Sequence, residues 1–196
     1  TITASGQSVT LKSSTSSDAI ILGVAANGTG DTLQFTNAEL QSIAATTLTI
    51  GASGAGAITI SGDVTPGSGG SGGNVATVAL ITGSTITATS AGIIETNLAL
   101  TAGGTITLQA ATGISDSGVL GLDIDSATGA VTIVRTGTGL VNVDYSDTGS
   151  DAISLTITAG GSGNIEYDSE STGTLTLGGI VQAATGTLTI SNLGTI

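Results

Sequence analysis

Short segments in which every second residue is apolar recur along the whole chain. Each alternates a β-branched residue or leucine with a small polar residue, and Gly, Asn, Asp or Ser fills nearly every gap between segments. A period of two is typical of β-strands, and the gap residues are those that turns favour. The pattern predicts an all-β chain with strands at 8–12, 19–24, 32–36, 47–51, 57–61, 75–81, 84–89, 97–102, 104–110, 120–125, 130–134, 140–145, 152–157, 164–168, 174–179 and 186–191.

One strand sequence recurs with little change. GTITLQAATGI (104–114), GTLTLGGIVQAATG (173–186) and GTLTISNLGTI (186–196) share the pattern Gly-Thr-Ile/Leu-Thr-Ile/Leu, followed by small residues. Sandwiches, barrels and solenoids all contain many short strands, but the recurrence of one strand sequence favours similar coils stacked on one another. We therefore predict one parallel β-solenoid over 1–196, with about nine or ten coils of roughly 20 residues.

A Gly-rich and Ser-rich stretch interrupts the strand pattern. SGDVTPGSGGSGGN (61–74) contains Pro66, the only proline of the chain. Such a segment is too polar and too rich in Gly to continue a stack of strands. We predict an exposed loop over 61–74.

A second interruption has helical features. In TNAELQSIAATT (36–47), Thr36 or Asn37 is a suitable helix cap and Glu39 follows in the first turn. Leu40 and the Ile-Ala pair at 43–44 have helical spacing. This stretch predicts one short helical turn.

The composition limits what fills the interior. Cys, His, Met and Trp are absent, and Phe35, Tyr145 and Tyr167 are the only aromatic residues. Most globular cores use aromatic rings to fill irregular volume. We therefore expect a narrow interior of Val, Ile, Leu, Ala and Thr, with a width that repeats from coil to coil.

The charge balance argues against two classes of partner. The formal net charge is −12, and Lys12 and Arg135 are the only basic residues. Electrostatic binding to nucleic acid or to an anionic membrane surface is therefore disfavoured. No apolar run approaches the roughly 20 residues that span a bilayer. We predict no nucleic-acid partner and no membrane insertion.

The acidic residues admit a catalytic and a structural interpretation. Asp123 and Asp125 share one strand face, as do Glu166 and Asp168, so each pair is able to present two carboxylates to a substrate. Acids that keep the outer face of a rod soluble produce the same pattern. We favour the structural interpretation because no His or Lys is available to tune or orient a catalytic pair.

An enzyme of the polysaccharide-lyase type is a further alternative, since such enzymes also use β-helices. It requires clustered Asp together with Arg or Lys in a groove. Lys12 and Arg135 are too few and too far apart in the sequence to favour it. We predict that the chain is not an enzyme.

Calcium is the metal for which the sequence offers candidate ligands. In YSDTGSDAI, Asp147 and Asp151 flank Gly149, and hard cations favour such oxygen-rich turns. GGSGNIEYD (160–168) is similar to a glycine-rich calcium-binding nonapeptide, but Ile165 stands where the required Asp should be. Asp147 and Asp151 are therefore the candidate calcium ligands, and no other cofactor is predicted.

Threonine pairs of the form Thr-x-Thr recur and suggest a binding surface. Flat arrays of threonine on a solenoid are able to bind ice, although threonine is also simply a good strand residue. The distances between successive pairs share no common period, so the sequence predicts no single regular array. The pairs lie at 1–3, 47–49, 85–87, 105–107, 174–176 and 187–189.

Three long stretches resemble a known family. LQFTNAELQSIAATTLTIGASGAGAITISGDV (33–64), NVATVALITGSTITAT (74–89) and NLALTAGGTITLQAATGI (97–114) are similar to the repeat region of large secreted exoproteins related to filamentous haemagglutinin. The resemblance covers roughly residues 30 to 196. It implies a right-handed parallel β-helix in a bacterial filament that is secreted or attached to the cell surface, and often adhesive. The family's secretion module has Asn-Pro-Asn motifs, which this sequence lacks, so the resemblance is to the shaft alone.

These observations predict a structural function. The chain begins and ends in strand sequences, so we expect it to be a segment of a longer rod whose edges pair with further coils of the same protein or with neighbouring subunits end to end. Glycans of a host or of a cell surface are the further partners that the resemblance implies. The alternative is a binding module, an adhesin or an ice-binding protein, that uses exposed threonine-rich or acidic strand faces.

Overall fold

The computed structural model describes residues 1–28, 30, 32–67, 75–89, 93–96, 104–116, 122–126, 129–145, 152–182 and 185–196. This part of the chain contains one short helix, α1 (Asn37–Gln41), and is otherwise built from strands and their connections. The strands are β1 (Ile2–Leu11), β2 (Ile20–Val24), β3 (Leu33–Thr36), β4 (Ile43–Gly51), β5 (Ile58–Ile60), β6 (Thr77–Ile81), β7 (Ile86–Ala88), β8 (Ile93–Thr96), β9 (Gly104–Ala110), β10 (Ile114–Asp116), β11 (Leu122–Ser126), β12 (Gly129–Arg135), β13 (Val141–Tyr145), β14 (Ile153–Ala159), β15 (Ile165–Ser169), β16 (Leu175–Gln182) and β17 (Leu188–Ile190).

The strands form two sheets, and neighbouring described strands pair in parallel. The 7-stranded sheet has the order β1-β4-β6-β9-β12-β14-β16, and the 10-stranded sheet has the order β17-β15-β13-β10-β7-β5-β2-β3 with β11 and β8 branching from β13. Along the chain, β4, β6, β9, β12, β14 and β16 of the first sheet are each followed by a strand of the second. The prediction of an all-β chain with parallel strands is confirmed.

Columns of similar apolar residues fill the space between the sheets. Because parallel strands pair in register, a residue of one strand lies directly beside its counterpart in the next. The buried side chains of both sheets form one continuous cluster, in which each fully buried Val, Leu or Ile contributes about 1.5–3 kcal/mol. Two inner columns of the 7-stranded sheet are Val9, Leu48, Val78, Ile106, Val131, Leu155, Leu177 and Leu11, Ile50, Leu80, Leu108, Ile133, Ile157, Ile180.

The predicted coil length is too short. In the 7-stranded sheet, Thr47 pairs with Thr77 and Ile153 pairs with Leu175. In both cases the number of residues between the paired positions is larger than the predicted coil length. This sheet therefore has seven strands, where nine or ten coils were expected. The coils are longer than predicted because several connections between the sheets contain additional elements, such as β3 and α1.

Helix α1 lies where the sequence predicts a helical turn. Thr36 is its N-cap and forms a capping box: the Glu39 backbone N–H donates to Thr36 Oγ1 at 3.2 Å, and the Thr36 backbone N–H donates to the Glu39 carboxylate at 2.9 Å. This backbone hydrogen bond is the main reason that the pKa of Glu39 lies below its usual value. The helix ends earlier than the apolar spacing suggests, because Ile43 already belongs to β4.

The prediction of an exposed loop over 61–74 is correct for Ser61 and Asp63, which are exposed, and wrong for residues 64–67. Residues 64–67 are buried, and residues 68–74 lie outside the described part. The polar groups of this segment find partners on α1, since the Thr65 backbone N–H donates to Asn37 Oδ1 at 2.9 Å and the Gly67 N–H donates to the Leu40 carbonyl at 3.3 Å. Satisfied backbone groups allow a Gly-rich and Pro-containing segment to be buried.

The interior also contains residues other than the Val, Ile, Leu, Ala and Thr that the composition predicts. Tyr145 and Tyr167 are fully buried inward-facing residues of β13 and β15, and Arg135 at the end of β12 is equally buried. The Tyr167 hydroxyl has no hydrogen-bond partner. Burial, followed by the nearby Tyr145 and Asp144, raises the pKa of Tyr167 far above its usual value. The interior is therefore wider at β13 and β15 than a purely aliphatic stack.

Candidate functional site

Two columns of small residues, most of them Thr or Ser, run along the outer face of the 7-stranded sheet. They occupy the positions between the inward-facing residues, and most of them are half-buried on an otherwise open sheet face. We call these two columns the threonine surface. Its members are Ser8, Thr47, Thr77, Thr105, Ala130, Ser154, Thr176 in one column and Thr10, Thr49, Ala79, Thr107, Thr132, Thr156, Gly179 in the other.

The threonine surface is regular in two directions and uncharged. Adjacent strands of a sheet lie about 4.7–4.9 Å apart, and residues two apart in a strand are about 6.6 Å apart. The strands of the 7-stranded sheet contain a single charged residue, Arg135, and its side chain is buried in the interior. The surface is therefore a two-dimensional array of hydroxyl and methyl groups without charge.

The Thr-x-Thr pairs do not form one array, as predicted: the pairs 47–49 and 105–107 lie in the threonine surface, whereas Thr87 and Thr189 belong to β7 and β17 of the other sheet. The array is built instead from whole strands in register. Neighbours in one column are unequally spaced in the sequence, since the step from Thr47 to Thr77 is longer than the step from Thr105 to Ala130. The hydrogen-bond register brings the strands into line in spite of these unequal connections. Alignment of whole strand sequences, with Ala or Ser accepted in place of Thr, is the signal that finds the array.

The acidic residues gather on the other sheet, and they gather across strands. Asp123 of β11 pairs with Asp144 of β13, which pairs with Asp168 of β15. We call these three residues the acidic column. Like charges directly opposite one another on neighbouring strands repel. Asp168 is partly compensated, since the Ser191 hydroxyl donates to its Oδ1 at 2.6 Å.

Asp144 is the residue most affected by this arrangement. Burial raises the pKa of Asp144 from 3.8 to about 6, and the negative charges of Asp123, Asp168 and Glu170 contribute to the shift. One carboxylate oxygen of Asp144 and one of Asp123 are buried without a hydrogen-bond partner. Protonation of Asp144 near pH 6 therefore relieves the repulsion within the acidic column.

The acid pairs predicted within single strands are not the closest acid partners. Glu166 and Asp168 do share the outer face of β15, but Glu166 lies beside Asn142 and Thr189 of the neighbouring strands. Asp125 pairs with Glu95 in the strand register. Sequence reasoning found the acids two apart in a strand and missed those opposite one another, because cross-strand register is invisible in the local pattern.

Neither basic side chain lies beside the acidic column. The buried guanidinium of Arg135 donates to the backbone carbonyls of Gly139, Gly160 and Gly163, and burial lowers the pKa of Arg135. It ties together two connections of the backbone, the one between β12 and β13 and the one between β14 and β15. Lys12 follows β1, at the opposite edge of the structure from β15, where it lines two surface cavities of about 230 and 590 Å³ together with the hydroxyl-rich segment 13–15.

The candidate calcium ligands, Asp147 and Asp151, lie outside the described residues. Within the part that the structure describes, no three His, Cys, Asp or Glu side chains are grouped so that they could hold a metal ion. In the same part, no helix is long and apolar enough to cross a membrane.

Comparison with known proteins adds no relative to this picture. No family model, no curated protein and no solved structure matches the chain.

Proposed function

We propose that this chain is part of the shaft of an extracellular bacterial filament, folded as a right-handed parallel β-solenoid similar to the filamentous-haemagglutinin family. The observation that supports it best is the set of inner columns, which contain one apolar residue from every strand of the 7-stranded sheet. In a stack of this kind each coil contacts only its neighbours, so the stability of the rod increases with every coil that is added. The function is mechanical: a stiff rod holds a distal region away from the cell or forms the fibre itself.

The edge formed by the last strands supports assembly end to end. The inner column ends at Leu177 of β16, which is 43% exposed, and Leu193 and Ile196 near the other end strand are also exposed. An apolar edge with unpaired backbone groups pairs readily with another strand. We propose that further coils of the same protein or a neighbouring subunit pair with this edge.

The location and the further partners follow from the resemblance. A secreted or surface-attached filament reaches its target in the medium, and glycans of a host or of a cell surface are the ligands that an adhesive filament contacts. The charge of −12, with only two basic residues, is consistent with a rod that does not adhere to anionic surfaces.

Electron microscopy of the purified chain tests the shaft. We expect rods whose power spectrum has a meridional repeat of about 4.8 Å. The seven strands of the 7-stranded sheet span about 29 Å, so longer rods report assembly end to end. Compact particles without that repeat would contradict the proposal.

A pair of matched variants locates the contact that lengthens the rods. Leu177→Lys puts a charge on the exposed inner column and should shorten them. Leu140→Lys, at a side chain of similar exposure in the connection between β12 and β13, should leave their length unchanged. Loss of order in a calcium chelator, relative to calcium buffer, would assign a role to the loop of Asp147 and Asp151.

A second candidate function is a binding module, and the threonine surface favours it over the acidic face. A regular, uncharged array of threonines is the arrangement that an ice-binding protein requires. Inhibition of ice recrystallisation by the wild-type chain, and its loss in Thr107→Glu, would support this candidate.

A further inference from the structure

The threonine surface is the side of the molecule on which two copies can approach one another. Every acidic residue within a described strand belongs to the 10-stranded sheet, and the outer face of the 7-stranded sheet has no charge. We infer that two copies of this chain pair laterally, with their threonine surfaces face to face. The inference rests on the proposed shaft and names its lateral partner.

Electrostatics favours this face over the outer face of the 10-stranded sheet. Sheets pack about 10 Å apart, so pairing through the threonine surfaces places the acidic columns of the two copies about 30 Å from one another. The Debye length is about 8 Å at physiological ionic strength, so the repulsion between the columns is screened. Contact through the 10-stranded sheets would instead bring Asp123, Asp144 and Asp168 of both copies together.

The repeat of the surface makes it complementary to itself. Both copies have the same strand spacing and the same distance between columns, so side chains of one copy fit between those of the other along the whole face. Dry interfaces between paired sheets form in this way when small side chains interdigitate. A two-fold axis relates the copies, and the central strand β9 of one faces β9 of the other.

The size of the surface sets the expected strength. Seven strands and about five residues of each give an area of about 500 Å² per copy, or about 1,000 Å² for the pair, which is at the lower limit of specific interfaces. Interfaces of this size are typical of weak and transient complexes, so we expect a dissociation constant in the micromolar range for a single pair. In a fibre the contact repeats along the rod, so the pairing strengthens with length.

Sedimentation velocity tests the pairing of the wild-type chain and of two matched variants. Thr107→Glu places a charge at the centre of the threonine surface, and Thr59→Glu places the same charge on the outer face of β5, at a position of similar exposure in the other sheet. Over about 1–500 µM, a range that brackets a micromolar dissociation constant, we expect the wild-type chain and Thr59→Glu to dimerise alike. Thr107→Glu should weaken the dimer at least tenfold.

A charge-swap mixture keeps the inference falsifiable if one variant folds poorly. Thr107→Lys and Thr107→Glu, mixed in equal amounts, should form a dimer tighter than either variant alone, because the two positions face one another near the axis. Far-UV circular dichroism verifies that each variant keeps its strands. Absence of a gain on mixing would contradict the face-to-face arrangement.

Two outcomes overturn the inference and leave the shaft intact. One is a wild-type chain that forms no lateral pairs over the whole range while micrographs show single rods with the repeat of about 4.8 Å. The other is a monomer that inhibits ice recrystallisation and loses this activity in Thr107→Glu, which assigns the surface to ice. Dimers without any rods in micrographs would refute the shaft and retain the pairing.

Discussion

Replacement of Asp144 by asparagine should stabilise the fold at neutral pH. Asp144 lies between Asp123 and Asp168 in the acidic column, and its carboxylate has one buried oxygen without a partner. Asparagine has nearly the same shape, removes the charge, and supplies N–H donors to the neighbouring carboxylates. The substitution therefore removes a repulsion and adds hydrogen bonds without opening a cavity.

The magnitude follows from the pKa of Asp144, which rises from 3.8 to about 6 in the folded chain. A shift of about two units corresponds to about 3 kcal/mol of unfavourable free energy in the charged state. Solvent screens part of this, since Asp144 is only half-buried, so we expect a stabilisation of about 1–2 kcal/mol above pH 7. For a chain of this length each kcal/mol raises the Tm by about 2–4 °C.

The pH dependence has a defined sign. Between pH 3.8 and about 6 the folded state binds more protons at Asp144 than the unfolded state does. This contribution to the free energy of unfolding is therefore largest below pH 3.8, falls as the pH rises to about 6, and stays low above it. The wild-type chain should lose this contribution across that window, and Asp144→Asn should not.

Urea unfolding at pH 5 and pH 8, followed by tyrosine fluorescence, measures both effects. The sequence has no Trp, and both of its tyrosines, Tyr145 and Tyr167, lie in β13 and β15, the strands that contain Asp144 and Asp168. Glu166→Gln is the matched control: it removes one acid from the same face, but Glu166 lies beside Asn142 and a threonine, so stability should change by less than about 0.5 kcal/mol. Equal effects of the two variants, or a destabilised Asp144→Asn, would refute the reasoning.

Three other substitutions probe the interior, each by urea unfolding. Arg135→Ala leaves three partly buried carbonyls without their donor and opens a cavity where the buried side chain lay, and should cost about 3–5 kcal/mol. Gly129→Ala should prevent folding, since φ is +147° and the new Cβ would lie 1.7 Å from a backbone oxygen of β9, whereas Gly179→Ala, with open space around it, should be tolerated. Leu155→Ala in an inner column should cost about 2–5 kcal/mol, and Leu193→Ala, which is 72% exposed, less than about 1 kcal/mol. Similar costs for the buried and the exposed leucine would contradict the assignment of the inner columns.

The alternation of apolar and polar residues located most strands correctly. Apart from 97–102, which lies outside the described residues, each predicted strand overlaps an observed one. The sequence missed β8 and β10, because IIET and ISD do not alternate apolar residues with small polar ones as the other short strands do. The sequence also offered Thr36 or Asn37 as the helix cap with Glu39 in the first turn, and the structure selects Thr36, which forms a capping box with Glu39.

The surfaces could not be predicted in the same way. The threonine surface requires that Thr47, Thr77 and Thr105 be neighbours, and each is separated from the next by a long connection that passes through the other sheet. The acidic column requires the same knowledge for Asp123 and Asp144. Arg135 continues the series of inward-facing positions of β12. Gly160 and Gly163, whose carbonyls accept hydrogen bonds from its guanidinium, are distant from it in the sequence.

The sequence by itself determined the properties that depend on neighbours along the chain: strands, their inward and outward faces, the helix cap, and an acidic, aromatic-poor composition. These are local because the side-chain period of a strand and the bonds of a cap involve residues a few positions apart. Only the tertiary structure decided which residues lie side by side across strands, because long connections of unequal length separate them and the hydrogen-bond register selects the pairing. The uncharged threonine surface and the strained acidic column are both products of that register.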